Sequence, residues 1–376
     1  MHPIEPVDLA AKLISVPSIT PARGAVFDVL EQALAPLGFT VHRFILGEAP
    51  DGPTENMVAF RSLGEGPHFA FAGHLDVVPP GDGWSGDAFT ARIEDGRLIG
   101  RGANDMKGAI AAFAAAASQF DQRRGTLSFL ITGDEEGFAT YGTPRIIDWL
   151  KQRRIRPDMI LIGEPTSEQR LGDTVKIGRR GSVNMVVEMP GTQGHVAYPH
   201  KADNPVGKLA RIVAALDSMH LDDGTDAFPP SNLEFTGLAT PTQANNVIPA
   251  SATAQLNIRF NNLQRGAELV ERVTGIAREV EPRAQVHSRI SGEAFLTPPG
   301  ELYDLVVGAI EDETGIAPVL STGGGTSDGR FLIQLCPVVD FGLPNATMHK
   351  LDESASVADI GQLARIYRHI VERVLG

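Results

Sequence analysis

The chain of 376 residues contains one cysteine, Cys336, so no internal disulfide can form, as expected of a reducing compartment. Cys336 lies in an apolar stretch and is expected to be a buried small hydrophobe rather than a nucleophile. Excess positive charge is also missing: 33 Lys and Arg against 46 Asp and Glu give a formal net charge of −13. A nucleic-acid role needs a basic face and is excluded on that ground. No hydrophobic run is long enough for a membrane span; the alanine-rich stretch 109–117 reads as a buried helix. The N-terminus lacks the basic and apolar regions of a signal peptide, and the expected location is the cytoplasm. Internal repeats and low-complexity segments are absent. The loop Gly323-Gly324-Gly325-Thr326-Ser327-Asp328-Gly329 lacks the Lys-Ser/Thr ending of a phosphate loop, which removes nucleotide binding.

Hydrophobic residues make up 42% and charged residues 21%, the balance of a soluble globular protein, and the length calls for two domains. In the first half, helical periodicity over 7–14, 25–37, 106–120 and 143–153 alternates with strand patterns over 57–61, 69–73, 126–132 and 159–163. That alternation predicts an α/β layer with a mostly parallel central sheet. The order then changes. A two-sided strand over 175–189, a helix over 205–219, strands over 232–237 and 252–260, a helix over 267–280 and a strand over 285–291 follow. This β-α-β-β-α-β series is that of a ferredoxin-like sandwich. After Gly292 the first pattern resumes, with a helix over 303–314, a strand over 318–320 and a last helix over 357–374. The expected division is a catalytic domain from 1–179 and 293–376, with a second domain, 180–292, inserted into it. The insertion lets His349 return to the neighbourhood of residues 74–164.

Gly73-His74-Leu75-Asp76 offers an imidazole, and Arg101-Gly102-Ala103-Asn104-Asp105-Met106-Lys107 offers a carboxylate. Asp76, two residues beyond His74 and so on the same strand face, is placed to orient that imidazole. Leu130-Ile131-Thr132-Gly133-Asp134-Glu135-Glu136-Gly137 runs from an apolar strand into paired glutamates, and Glu164 follows another strand. Alone, each acidic turn would read as a polar cap. In a parallel α/β sheet, however, ligands bind at the C-terminal strand ends, and His74, Asp105, Glu135 and Glu164 would all lie just past a strand end or in the loop beyond. One imidazole with several carboxylates there suits one or two zinc ions, and the chain reads as a metal-dependent hydrolase. Asp105 is the choice for a bridging carboxylate. Glu136 and Glu164 would each complete one ion, and His74 and His349 would each give a nitrogen. A metal-activated water still needs a base, and Glu135 suits; spacing alone leaves open which of Glu135 and Glu136 is base and which is ligand. Such carboxylate-rich ligands also accept cobalt or manganese.

The inserted domain carries further polar groups. A lone histidine is more often structural, but Gly194-His195-Val196-Ala197-Tyr198-Pro199 places His195 on a loop able to reach a site and donate to a developing oxyanion. Lys176, Arg179, Arg180, Ser182 and Arg259 concentrate donors in an acidic protein. They read either as solvated strand faces or as a carboxylate-recognition set. Asn245-Asn246 could add side-chain amides, and exposed backbone amides around Gly325 could hold a carboxylate.

In combination, Gly73-His74-Leu75-Asp76-Val77-Val78-Pro79, Gly102-Ala103-Asn104-Asp105-Met106-Lys107-Gly108, Gly133-Asp134-Glu135-Glu136-Gly137 and Gly163-Glu164-Pro165-Thr166 resemble the M20 family of zinc aminoacylases and peptidases. The resemblance runs over essentially the whole chain. It implies two zinc ions per subunit, with cobalt able to substitute, in a catalytic domain whose inserted lid also makes a homodimer. It implies His74, Asp105 and Glu164 on one ion or shared, Glu136 and His349 on the other, Glu135 as general base and Asp76 behind His74. In this family His195 reaches the neighbouring subunit's active site. Lys176, Arg179, Ser182, Tyr198, Asn245, Arg259, Gly325 and Thr326 carry over as contacts to a small substrate bearing several carboxylates. The implied reaction is amide hydrolysis; a different amidohydrolase of the family would share the metal centre and differ in its lid contacts. One departure is Leu75, where the family more often has threonine. Leu75 points away from His74, so the expectation is altered packing without loss of metal.

Overall fold

A computed structural model describes residues 3–242 and 244–376. The chain divides into two compact units, one of residues 1–178, 297–321 and 327–376, the other of residues 179–296 and 322–326.

The larger unit is built on an eight-stranded sheet, in the order Thr40–Leu46, Thr54–Ser62, Thr126–Thr132, His68–His74, Met159–Ile162, Val338–Asp340, Thr174–Lys176 and Val319–Ser321. Its middle is parallel: Thr126–Thr132, His68–His74, Met159–Ile162 and Val338–Asp340 run in one direction. Their residues read as continuous apolar runs because helices cover both faces. The two strands at one edge are antiparallel. On one face lies the alanine-rich helix Lys107–Gln119, buried from Lys107 to Ala117. Small side chains let it sit against both the sheet and the C-terminal helix Val357–Leu375. Phe113 stacks on Phe71 with ring centroids 4.3 Å apart and meets Tyr367 edge-on at 5.5 Å. The Tyr367 hydroxyl, fully buried, donates to the Phe341 carbonyl at 2.7 Å. Burying Phe71, Phe113 and Phe129 together contributes roughly 1.5–3 kcal/mol each. The other face holds a smaller core that includes Cys336, whose thiol burial pushes up to about 12. No helix among the described residues is long and apolar enough to cross a membrane.

The smaller unit has an antiparallel sheet in the order Asn232–Ala239, Ser251–Phe260, Gly181–Pro190, Gln285–Gly292. Helices Pro205–Asp217 and Gly266–Val280 pack Leu209, Ile212, Leu216, Leu269 and Val273 on the alternate residues Val183, Met185 and Val187. Strand order and chain order together are those of a ferredoxin-like sandwich.

The strand expected over 175–189 is in fact three, Thr174–Lys176, Gly178–Arg179 and Gly181–Pro190. The alternation continues across the break, but Thr174–Lys176 pairs with Val319–Ser321 in the central sheet of the larger unit. Leu75 is fully buried in the main core, as its apolar side chain requires.

Two glycines permit close approach where the site is built. A Cβ on Gly163 would lie 2.6 Å from Phe71 Cζ, and one on Gly342 would lie 2.5 Å and 2.6 Å from the carbonyl oxygens of Glu164 and Gly163. Backbone cannot yield as a flexible side chain can. Gly342→Ala is therefore expected to destabilise the protein by about 1–3 kcal/mol and to displace Glu164. Thermal melting with and without added zinc checks this; a variant with unchanged melting and an unchanged zinc-induced shift would show that the crossing is loose.

Candidate metal centre

His74 ends the strand His68–His74, Glu164 follows Met159–Ile162 by two residues, and Glu135 and Glu136 follow Thr126–Thr132 after a glycine. These parallel strands stop at one level, so their next residues share one rim. Asp105 arrives differently from the expectation. It lies not beyond a strand of the central sheet but in the turn before helix Lys107–Gln119. That turn leaves a small separate sheet of Arg92–Glu94, Arg97–Ile99 and Ser354–Ser356. His349 lies in the segment that leads into the last of these strands.

The side chains converge. Asp105 Oδ1 is 3.1 Å from His74 Nε2, and Asp105 Oδ2 is 3.3 Å from His349 Nε2. His349 Nε2 is also 3.0 Å from Glu136 Oε1, and His74 Nε2 is 3.7 Å from Glu164 Oε1. Ligand atoms of His74, Asp105 and Glu136 lie within 4.8 Å of one another, as do those of His74, Glu135 and Glu164. One carboxylate thus presents one oxygen to each of two imidazoles, with further carboxylates on either side.

The electrostatics fit a cation at each end of Asp105. Burial disfavours its ionisation, yet His349 and His74 hold its carboxyl well below the usual range. The His349 imidazole is pushed up to about 10 by Asp105 and Glu136, against partial burial. Burial also opposes charge on His74, but Asp105, Asp76 and Glu164 raise it well above its ordinary value. Two imidazole nitrogens among several carboxylates make a donor set that suits metal ions. Burial raises both neighbouring glutamates, with the His349 hydrogen bond opposing at Glu136. Lost hydration pushes the Glu135 carboxyl up to about 8, with His74 opposing and Asp328 adding to the rise.

Asp76 takes a role that alternation along a strand did not foresee, because the strand stops at His74. His74 Nδ1 meets the Asp76 main-chain carbonyl at 2.9 Å; the carboxylate is 3.7 Å away. Instead Oδ1 accepts from the Glu135 amide at 3.2 Å and Oδ2 from the Glu136 amide at 3.0 Å. Asp134 closes the same loop from the other side, accepting from the Ala139 and Tyr141 amides at 3.1 and 3.2 Å. Burial pushes its carboxyl up to about 6.

The other expected contacts are distributed between the units. Lys176, in the larger unit, is buried with Nζ 3.0 Å from Ser321 Oγ. In the smaller unit, Arg179 Nη1 donates to the Gly325 carbonyl at 3.2 Å, and Ser182 lies opposite Arg259 in the antiparallel ladder. Thr326 is half-buried and Asn245 is exposed in the loop before Val247–Ile248, the strand that pairs with Gly194–His195. Tyr198 is exposed beside His195, ring centroids 5.8 Å apart. The His195 Nδ1 accepts from the Ala197 amide at 3.1 Å, which assigns the proton of a neutral ring to Nε2. Sequence reasoning missed Glu353 and Arg101, a buried pair 2.8 Å apart. The one signal available was Glu353's place four residues after His349.

Fold and site together define a metal-dependent hydrolase, and the chain belongs to peptidase family M20/M25/M40, whose model matches residues 70–373. It is 62% identical over 372 residues, 99% of this chain and 98% of the relative, to a succinyl-diaminopimelate desuccinylase of Sphingopyxis alaskensis. Among solved structures it resembles a tripeptidase of Staphylococcus aureus, with TM-score 0.80, 18% identity and coverage of 99% and 98% of the two chains. It also resembles a dinuclear metal-binding peptidase of the M20 family from Bacillus subtilis, with TM-score 0.71, 14% identity and coverage of 98% and 97%.

An imidazole must be neutral to ligate a metal ion. With His349 at about 10 in the metal-free chain, its ring carries a proton at pH 7. Zinc binding at pH 7 is therefore expected to release at least one proton per chain. Calorimetric titration in buffers of different ionisation enthalpy measures this; zero release contradicts the assignment of His349.

Proposed function

We propose that this chain hydrolyses N-succinyl-LL-2,6-diaminopimelate to succinate and LL-2,6-diaminopimelate, a step of lysine and diaminopimelate biosynthesis carried out in the cytoplasm. The observation that carries this reading is the 62% identity across nearly the whole chain to a succinyl-diaminopimelate desuccinylase. Both ions are read as zinc, with cobalt able to replace it. His74, Asp105 and Glu164 would hold one, and Asp105, Glu136 and His349 the other. Bound there, the ions would supply Lewis acidity, bringing water's ionisation towards neutral pH and polarising the scissile carbonyl.

The remaining chemistry belongs to side chains. Glu135 takes the water proton as the carbon–oxygen bond forms and delivers it to the diaminopimelate nitrogen as the carbon–nitrogen bond breaks. Burial raises this carboxyl; cations bound beside it would favour the ionised form that takes the proton, and the protonated form then serves as the acid. Asp76 serves the reaction by fixing the main chain of Glu135 and Glu136. His195, with its proton on Nε2, donates to the oxygen that gains charge. Lys176, Arg179, Ser182, Tyr198, Asn245, Arg259 and the Gly325–Thr326 amides receive the carboxylates of the substrate, where arginine's fork favours paired bonds.

The smaller unit is read as the lid and as the surface that makes a homodimer. The strand Asn232–Ala239 is a sheet edge, and Leu238 is 66% exposed on it. Beside it, Val206, Val213 and Phe235 line an apolar groove of about 640 Å³. An edge strand with an apolar flank suits pairing with a second copy.

Turnover of N-succinyl-LL-2,6-diaminopimelate and of N-acetylornithine by zinc-loaded protein tests the substrate; the succinyl compound should be cleaved much faster, and a preference for the acetyl compound would overturn the reading. Glu135→Gln should keep near-normal zinc content while turnover falls at least about 100-fold, the usual scale of lost acid–base catalysis. Normal turnover in that variant removes the base from Glu135. Leu238→Asp should give a monomer by light scattering and, with His195 serving the neighbouring subunit, lower turnover as well; a variant that stays dimeric sends the interface elsewhere.

A further inference from the structure

Asp105 can face two cations only if its main chain is held still, and the hydrogen bonds around it show what holds it. Glu353 is completely buried. Its Oε1 accepts from the amides of Asn104 at 2.9 Å and Asp105 at 3.0 Å. Its Oε2 accepts from Arg101 Nη1 at 2.8 Å and the Gly102 amide at 3.1 Å. Four donors, one of them the Arg101 guanidinium, satisfy its two oxygens in the interior. The loop 100–105 therefore wraps around one side chain, and the last donor in it is the amide of Asp105 itself. Asn104 Nδ2 ties the same loop to the Pro344 carbonyl at 2.6 Å.

The anchor is itself fixed. Glu353 immediately precedes Ser354–Ser356, which pairs with Arg97–Ile99. Its main-chain carbonyl accepts from the Gly100 amide at 2.9 Å. Four residues before it stands His349. Two non-glycine residues in that short segment have left-handed backbone, His349 with φ 60° and Asp352 with φ 50°. Such conformations persist where the surroundings over-determine them. Asp352 is held by the amide and hydroxyl of Ser85 at 3.1 and 2.9 Å and by Arg92 at 3.0 Å. The constrained turn 349–353 thus sends the His349 imidazole to one oxygen of Asp105 and the Glu353 carboxylate to the Asp105 amide.

We propose that Glu353 is a positioning residue of the metal centre: by gripping the main chain of Asp105 from the segment that carries His349, it sets the distance between the two cation positions and the affinity for the second ion. This rests on the two-metal reading above. Arg101 keeps Glu353 in place and is itself packed over the Trp84 ring at 5.1 Å. The arrangement parallels Asp76, whose carboxylate grips the amides of Glu135 and Glu136. The two loops that carry Asp105 and the glutamate pair thus each hang from one buried carboxylate.

The test is titration of metal-free wild-type, Glu353→Ala and Glu353→Gln protein with Co2+, followed by calorimetry and by the visible absorption of the bound ion. Wild type should bind two ions. Glu353→Ala should lose 10- to 100-fold in affinity for at least one of them, the usual effect of removing a partner that orients a ligand, with an altered visible band. Glu353→Gln retains one acceptor oxygen for the Asn104 and Asp105 amides and should fall between. Melting of the metal-free proteins supplies the control. Lowered melting with wild-type affinity and spectrum in either folded variant would make Glu353 a fold residue only and overturn the proposal. If Glu353→Ala does not fold, Glu353→Gln decides alone. Wild type binding fewer than two ions would instead defeat the two-metal reading.

Discussion

The structure depends on the carboxylate of Asp105 lying between two imidazoles from opposite ends of the chain, 3.1 Å from His74 and 3.3 Å from His349. Around it stand Glu135, Glu136 and Glu164, so negative charge is concentrated where little water can screen it. At an interior dielectric, like charges at such separations repel by several kcal/mol, and only nearby positive charge makes the cluster tolerable. His74 and His349, both raised by these carboxylates, are nearby groups able to carry that charge. Divalent cations supply it better, because each can be shared among several oxygens without the directional limit of an N–H bond.

Holding this cluster together is the work of the scaffold. Parallel strands ending at a common level bring His74, the glutamate pair and Glu164 to one rim, and Gly163 and Gly342 let the strands' continuations cross within contact distance. Behind them, the alanine-rich helix Lys107–Gln119 lies between the sheet and the C-terminal helix, with Phe71, Phe113 and Tyr367 interlocked. The loops are stiffened by carboxylates rather than by packing. Asp76 and Glu353 each accept consecutive main-chain amides, which fixes the residues bearing the functional side chains. A metal centre assembled from flexible turns would lose most of its binding energy in ordering them.

Much of this was legible in the sequence because it rests on local rules. Apolar runs leading to His, Asp or Glu revealed three of the parallel strands, over 69–73, 126–132 and 159–163, while the short Val338–Asp340 escaped; helices over 106–120 and 357–374 followed from periodicity. The β-α-β-β-α-β order exposed the second unit. His74, Glu135, Glu136 and Glu164 could be named from residue type and position beyond strand ends, and His349 from the return of the first pattern after the insertion. What escaped reading depends on contacts between distant segments. Asp76 was expected to orient His74; its carboxylate stands 3.7 Å from His74 Nδ1, but its hydrogen bonds go to the Glu135 and Glu136 amides because the strand ends one residue after the glycine. Glu353 carries no local signature, being one acid among many; only its four donors from residues 101–105 distinguish it. The strand over 175–189 kept its alternation across a change of sheet, which periodicity cannot detect. Asp105 was placed just past a strand end or in the loop beyond; it lies in such a loop, but one that leaves a small sheet of three-residue strands rather than the central sheet.

The central claim, that Asp105 is shared by two cations, is tested most directly by diffraction at the zinc absorption edge from crystals of the zinc-loaded protein. The account predicts two anomalous peaks about 3.5–4 Å apart, the usual spacing of such pairs. One should lie beside each Asp105 oxygen, with His74 against the first and His349 against the second. A single peak, or a pair with no Asp105 oxygen between them, would contradict it.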